Sequence, residues 1–116
     1  MPHQRAPAVV TLPAEIDMYN REQAYGRLRA ACALGAPVVI ADFTGTRFCD
    51  AGSMRRLLDV PASAAELQFA IPAGSPVRRL ADLMDAGRRV PVYASRRRPP
   101  PSSPVSRFPL PRRPAP

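Results

Sequence analysis

The chain has 116 residues, the length of one small domain. Its 46% hydrophobic content suits a globular core, and no run reaches the ~18 apolar residues that a membrane-spanning helix needs. The net charge of +8 points to nucleic acid only until it is placed: residues 96–116 hold six arginines and no acid, leaving eleven arginines against nine acids in 1–95.

The opening MPHQRAPAVVTL lacks a charged segment followed by a long apolar one, so no secretory signal is read and a cytoplasmic location is expected. Residues 1–7 are read as a flexible terminus. His3 is the only histidine, and Cys32 and Cys49 have no metal-binding spacing, so no metal site and no cofactor are expected. In a cytoplasmic setting both cysteines read as buried thiols.

Val9-Val10-Thr11-Leu12 reads as a strand, continued by Glu15-Ile16-Asp17 after a turn at Pro13-Ala14. A helix follows, with Asn20 as its cap and Gln23 completing a variant of the capping box. Ala24, Leu28, Ala31 and Cys32 fall at helical spacing. Gly35 suits a left-handed stop, and Pro37 blocks a return to helix. Val38–Phe43 is a continuous apolar run broken only by Asp42, as expected of a strand covered on both faces.

The stretch RFCDAGSMRRLL, 47–58, then turns a strand into a second helix. Asp50 is placed to cap it by accepting from the amide of Gly52 or Ser53. At about 100° per residue, Met54, Leu57 and Leu58 cluster inward, Ala51 and Ser53 fall on opposite flanks, and Arg56 points outward. The corner thus presents a first helical turn with free amides and a positive dipole end. Asp42 and Asp50 flank this turn and are explained by turn formation and capping. GTRFCDAG lacks the lysine and spacing of a phosphate loop.

Leu67–Ile71 alternates as a strand. Ser75-Pro76 starts a third helix, with serine as cap and proline at the first position. Val77, Leu80, Leu83 and Met84 are assigned to its inner face, and Arg88-Arg89 to its negative end. Val90–Tyr93 is an edge strand, because Pro91 would spoil a central one. The order strand-strand-helix-strand-helix-strand-helix-strand predicts an α/β domain over 8–95: a mixed, mostly parallel sheet of about four to five strands packed by about three helices. Residues 96–116 contain eight of the 16 prolines and are expected to form a disordered Arg/Pro-rich tail. Its PxxP stretches, 101–104 and 111–114, are read as accidents of composition.

Three pieces in order resemble the STAS domain of bacterial anti-sigma factor antagonists. Leu12-Pro13-Ala14-Glu15-Ile16-Asp17 is similar to the family's L-x-G-E-I-D opening, with Ala14 in place of glycine. Val38–Asp50 is similar to its VVVDLSGV-x-F-x-D strand and turn. Ile71–Arg79, IPAGSPVRR, is similar to the VPPGSPVRRV stretch of actinobacterial members. The resemblance implies a small cytoplasmic adaptor that docks on an anti-sigma factor, typically a histidine-kinase-like serine kinase, and frees a sigma factor by partner switching. It also implies a phosphoacceptor serine straight after the aspartate. Here that position is Ala51, followed by Gly52, and Ser53 stands where the family has glycine. The switch residue is therefore absent, with Ser53 its only neighbouring substitute. The second helix is short for the family, and the arginine tail stands where a closing helix would be.

On this reading the protein is no enzyme, since no nucleophile, base or paired acid is assembled. Thr44, Arg47, Asp50, Ala51, Gly52, Ser53 and Arg56 are the expected partner-binding residues. The alternative is a nucleic-acid-associated protein that holds phosphates through the arginine tail.

Overall fold

The computed structural model describes residues 6–61 and 65–95. The expectations for His3 and for the 96–116 tail lie outside the described residues. Strand β1 (Ala8–Thr11) leads to a two-residue strand β2 (Glu15–Ile16) and helix α1 (Arg21–Ala33). Strand β3 (Val38–Asp42) is followed by β4 (Phe48–Cys49) and helix α2 (Ala51–Leu58). Strand β5 (Glu66–Ala70), helix α3 (Pro76–Leu83), a 3-10 turn at Ala86–Arg88 and β6 (Val92–Tyr93) complete the order.

The main sheet runs β1-β3-β5-β6, and every pair in it is parallel. β2 does not prolong β1 in that sheet. The bend at Pro13-Ala14 takes it to β4, with which it forms a separate parallel ladder, Glu15 opposite Phe48 and Ile16 opposite Cys49. The Ala14 carbonyl accepts from the amides of Arg47 and Phe48, and the Thr46 hydroxyl donates to the Pro13 carbonyl. The fold is thus an α/β sheet of four parallel strands with a small second sheet at one end.

One large core lies between the main sheet and the helices. The sheet contributes Val39, Ala41, Phe43, Leu67, Phe69 and Ile71. Phe43 and Phe69 meet with ring centroids 5.0 Å apart, tilted by 53°, a favoured aromatic geometry. The helices contribute Ala24, Leu28 and Cys32 from α1, Met54, Leu57 and Leu58 from α2, and Val77 and Ala81 from α3. Asp42 is buried at the end of β3, where its carboxylate accepts from the Thr44 amide and hydroxyl.

Helix ends follow local chemistry at three places and depart from it at one. Asp50 and Ser75 both cap, accepting from the amides of Ser53 and Arg78, and Pro76 opens α3. Gly35, at φ 97°, takes the left-handed position after α1. Asn20 precedes α1 but its side chain does not cap it, so the box with Gln23 does not form. Its Oδ1 accepts from the Asp17 amide and its Nδ2 donates to the Glu15 carbonyl, so it secures the preceding turn instead.

Two further assignments are corrected. Leu83 is not on the inner face of α3; it is 83% exposed. From Val77 a helix brings Met84 back to the same side, whereas Leu83 lies about 120° away. Arg89 does not serve the end of α3. Its guanidinium donates to the Leu58 carbonyl and to Asp59, closing the C-terminus of α2. Arg88 pairs with Asp85, which occupies the left-handed region at φ 57°.

Candidate functional site

The corner between β4 and α2 is built by the ladder described above. The Asp50 amide donates to the Ile16 carbonyl, so β2 positions the first residue of the turn. The Asp50 carboxylate then accepts from the Ser53 amide at 2.7 Å and starts α2. Met54, Leu57 and Leu58 anchor the helix in the core, as their spacing predicts. Ala51 is exposed at the first helical position and Gly52 half-buried beside it.

Arg21, at the start of α1, lies against this turn. A Cβ on Gly52 would stand 2.5 Å from its guanidinium Nη1, so glycine admits the approach. The Ser53 hydroxyl first, then the Ser53 amide and the charge of Arg21, hold the Asp50 carboxyl below its usual range, against an opposing push from desolvation. Behind the turn, burial, with Asp50's charge adding to it, pushes the Cys49 thiol up to about 12. Cys49 is therefore a neutral, inert thiol. Cys32 is buried and also raised by desolvation.

The predicted contact residues divide. Thr44, Arg47, Asp50, Ala51 and Gly52 share one end of the domain, with Thr44, Arg47 and Ala51 exposed. Arg47 makes a long contact of 3.8 Å with Glu15, both side chains largely in water. Ser53 is not on that surface. It is fully buried, and its hydroxyl has no hydrogen-bond partner of proper geometry. The 100° rotation per residue that separates it from Ala51 carries it into the core flank rather than onto an open one. Arg56 is not an outward, free cation either. It donates to both carboxylate oxygens of Glu22 and lies 3.6 Å over the Tyr25 ring, clasping α2 to α1.

Three exposed apolar side chains near the corner were not singled out by sequence: Met18, Tyr19 and Phe48. Phe48 stands in the ladder opposite Glu15, and Met18-Tyr19 follows β2 directly. Tyr19 is 89% exposed. The available signal was an apolar pair in a turn between Asp17 and Asn20, outside any helical or strand period. Asp17 accepts from the Tyr19 amide and so fixes that turn.

Nothing at the corner assembles a nucleophile with a base, and no group of three His, Cys, Asp or Glu side chains is gathered among the described residues. An open cavity of about 540 Å³ lies between the end of β1 and α1, lined by Thr11, Leu12, Asn20, Gln23 and Arg27 among others. Its Arg27 and Asn20 are already engaged, on the carbonyls of Thr11 and Glu15. No described helix is long and apolar enough to cross a membrane.

No family model and no curated protein matches the chain. Solved structures do. A crystal structure of an anti-sigma factor antagonist from Mycobacterium paratuberculosis aligns over 83% of this chain and 83% of that one, at 18% identity and a TM-score of 0.66. The anti-sigma factor antagonist SpoIIAA in its unphosphorylated form aligns over 81% of this chain and 84% of that one, at 22% identity and a TM-score of 0.49. The chain thus shares the fold of the Mycobacterium paratuberculosis anti-sigma factor antagonist.

Proposed function

We propose that this protein is a non-catalytic regulatory adaptor, which docks on an anti-sigma factor of the histidine-kinase-like serine kinase type and acts in transcription through partner switching in the cytoplasm. The observation that carries the reading is the corner itself. A rigid ladder presents Arg47, Asp50 and Ala51 at one end of a STAS-like sheet, next to exposed Met18, Tyr19 and Phe48. Exposed aromatics beside a charged rim are what a recognition surface needs and what a solvated turn does not. The contact set is accordingly Thr44, Arg47, Asp50, Ala51 and Gly52, joined by Tyr19 and Phe48.

The adaptor is unswitched. Ala51 is exposed where the resembled family carries its phosphoacceptor and has no hydroxyl, while Ser53 has one and is buried. Phosphate would bring nearly two negative charges, which a buried site cannot take without unfolding the turn.

Calorimetric titration of the full chain into a purified anti-sigma serine kinase tests the reading. Saturable binding is expected, weakened about tenfold or more by Tyr19→Ala or Phe48→Asp and only modestly by salt. Intact mass after incubation with that kinase and ATP should not change. A phosphate on Ser53 would overturn the unswitched role. Absence of kinase binding, together with nucleic-acid binding that falls steeply with salt, would replace the adaptor reading by one led by the arginine tail.

A further inference from the structure

The main sheet has two faces, and the described helices pack on one of them. Every buried helix side chain named above joins the large core with Val39, Ala41, Leu67 and Phe69. The alternate residues point the other way. Among the described residues, Val38, Ile40 and Ala70 form a separate small cluster without a helix residue. By register, Val9, Ile40 and Gln68 lie side by side across β1, β3 and β5, and Thr11, Asp42, Ala70 and Tyr93 form the next row.

This second face does not behave as a wet one. Ile40 is 3% exposed, and Gln68 and Ala70 are each 1% exposed. Gln68 donates to Glu66, and neither Gln68 nor Asp42 is without a partner. All-parallel sheets occur almost only with both faces covered, and Val38, Ile40 and Ala70 make the middle of this mixed face apolar.

We propose that the second face is a docking groove for the chain's own C-terminal segment, residues 96–116. The place where the described chain ends selects this occupant. Tyr93 pairs with Ala70 at the β6 edge of this face, and the chain leaves from there. Four strands at ~4.8 Å spacing are crossed by about six extended residues, and 21 are available from 96 to 116. The segment has Val105, Phe108 and Leu110 to set against Val9, Ile40 and Ala70, and six arginines to face the exposed Glu66. Its prolines favour an extended form that loses little entropy on docking. Residues 1–5, MPHQR, offer only Met1 as an apolar anchor. The inference is independent of the corner's function.

The test uses the full chain, isotopically labelled at the isoleucine methyls, with Ser106→Cys carrying a nitroxide. Cys32 and Cys49 are buried, so the label goes to residue 106. The three isoleucines are Ile16, Ile40 and Ile71, and only Ile40 is on the second face. We expect the Ile40 methyl signal to be attenuated several-fold more than that of Ile16. Adding Phe108→Asp and Leu110→Asp to the same chain should abolish the difference while all three signals persist. A mixture of nitroxide-bearing chains with isotope-labelled, nitroxide-free chains should show no attenuation. Attenuation that persists in the mixture would make a second copy the occupant and overturn the proposal. Equal signals from Ile40 and Ile16, or attenuation that survives the double aspartate change, would overturn the proposal.

Discussion

Arg56 and Glu22 stand 34 residues apart in sequence and meet in a two-pronged contact, both carboxylate oxygens accepting from the guanidinium. The same guanidinium covers the Tyr25 ring. One side chain on α2 thus grips two positions, three apart, on α1. The fork geometry is specific to arginine, since lysine offers a point charge and no plane to stack. Arg56→Lys and Glu22→Gln should each lower the melting temperature slightly, and the double variant should lose less than the sum, because the two act through one contact. Thermal unfolding of the four proteins at low and high salt checks this. Full additivity would show that the pair is not coupled.

Asp50 gives the corner a pH dependence. Its folded-state pKa lies below the ordinary 3.8, held there by Ser53's hydroxyl and amide and by Arg21 against desolvation. A depressed carboxylate contributes stability that is present above the unfolded value and disappears as pH falls through the folded one. Asp50→Ala should therefore cost about 1 kcal/mol at pH 7, as loss of a helix cap does, and progressively less below pH 4. Asp50→Asn, which keeps an acceptor, should recover most of the loss at neutral pH. Urea unfolding at pH 7 and pH 3 separates these outcomes. An Asp50→Ala penalty of equal size at both would remove the charge from the explanation.

Gly52 has ordinary helical backbone and owes its presence to Arg21 rather than to a turn. The clash that alanine would meet, at 2.5 Å, is with the far end of a flexible side chain. Arg21 can swing aside, so the helix-propensity gain of up to about 1 kcal/mol should prevail. Gly52→Ala is expected to be neutral to stabilising, and to move the Asp50 carboxyl back toward its ordinary value as Arg21 withdraws. Chemical denaturation with a carbon-detected NMR titration of Asp50 checks both parts. A loss above about 1 kcal/mol would mean that Arg21 cannot yield.

What could be read from sequence was what one segment decides by itself. Asp50 and Ser75 cap because an acceptor side chain sits next to free amides, and the uninterrupted Val38–Asp42 run is buried throughout as expected. Asn20 was misread because the Asp17 amide and the Glu15 carbonyl compete for the same side chain. The β2–β4 ladder was illegible because strands of two residues carry no period. Arg56 looked free because its partners lie on another helix, and Arg89 looked like an end of α3 because its acceptors, Leu58 and Asp59, are about 30 residues back. At the corner, the cap and the helix anchors were legible; the exposed aromatics and the burial of Ser53 came from tertiary packing.

Ser53 makes the sharpest prediction. Its hydroxyl is fully buried and makes no hydrogen bond of proper geometry, although it favours the nearby Asp50 charge. An unpaired buried hydroxyl costs about 1–3 kcal/mol of desolvation, while the cap itself runs through the Ser53 amide, which any residue supplies. Ser53→Ala should therefore raise stability at pH 7 by less than about 1 kcal/mol, because relief of the unpaired hydroxyl is offset in part by its loss beside the Asp50 charge, and leave α2 intact. Ser53→Asp, which forces a charge into the same place beside Asp50, should lower it by several kcal/mol or prevent folding. Equilibrium unfolding of the alanine variant decides the matter. If it is less stable than the native chain, the hydroxyl holds Asp50 by a real bond, and the first turn of α2 depends on the Ser53 side chain as well as on its amide.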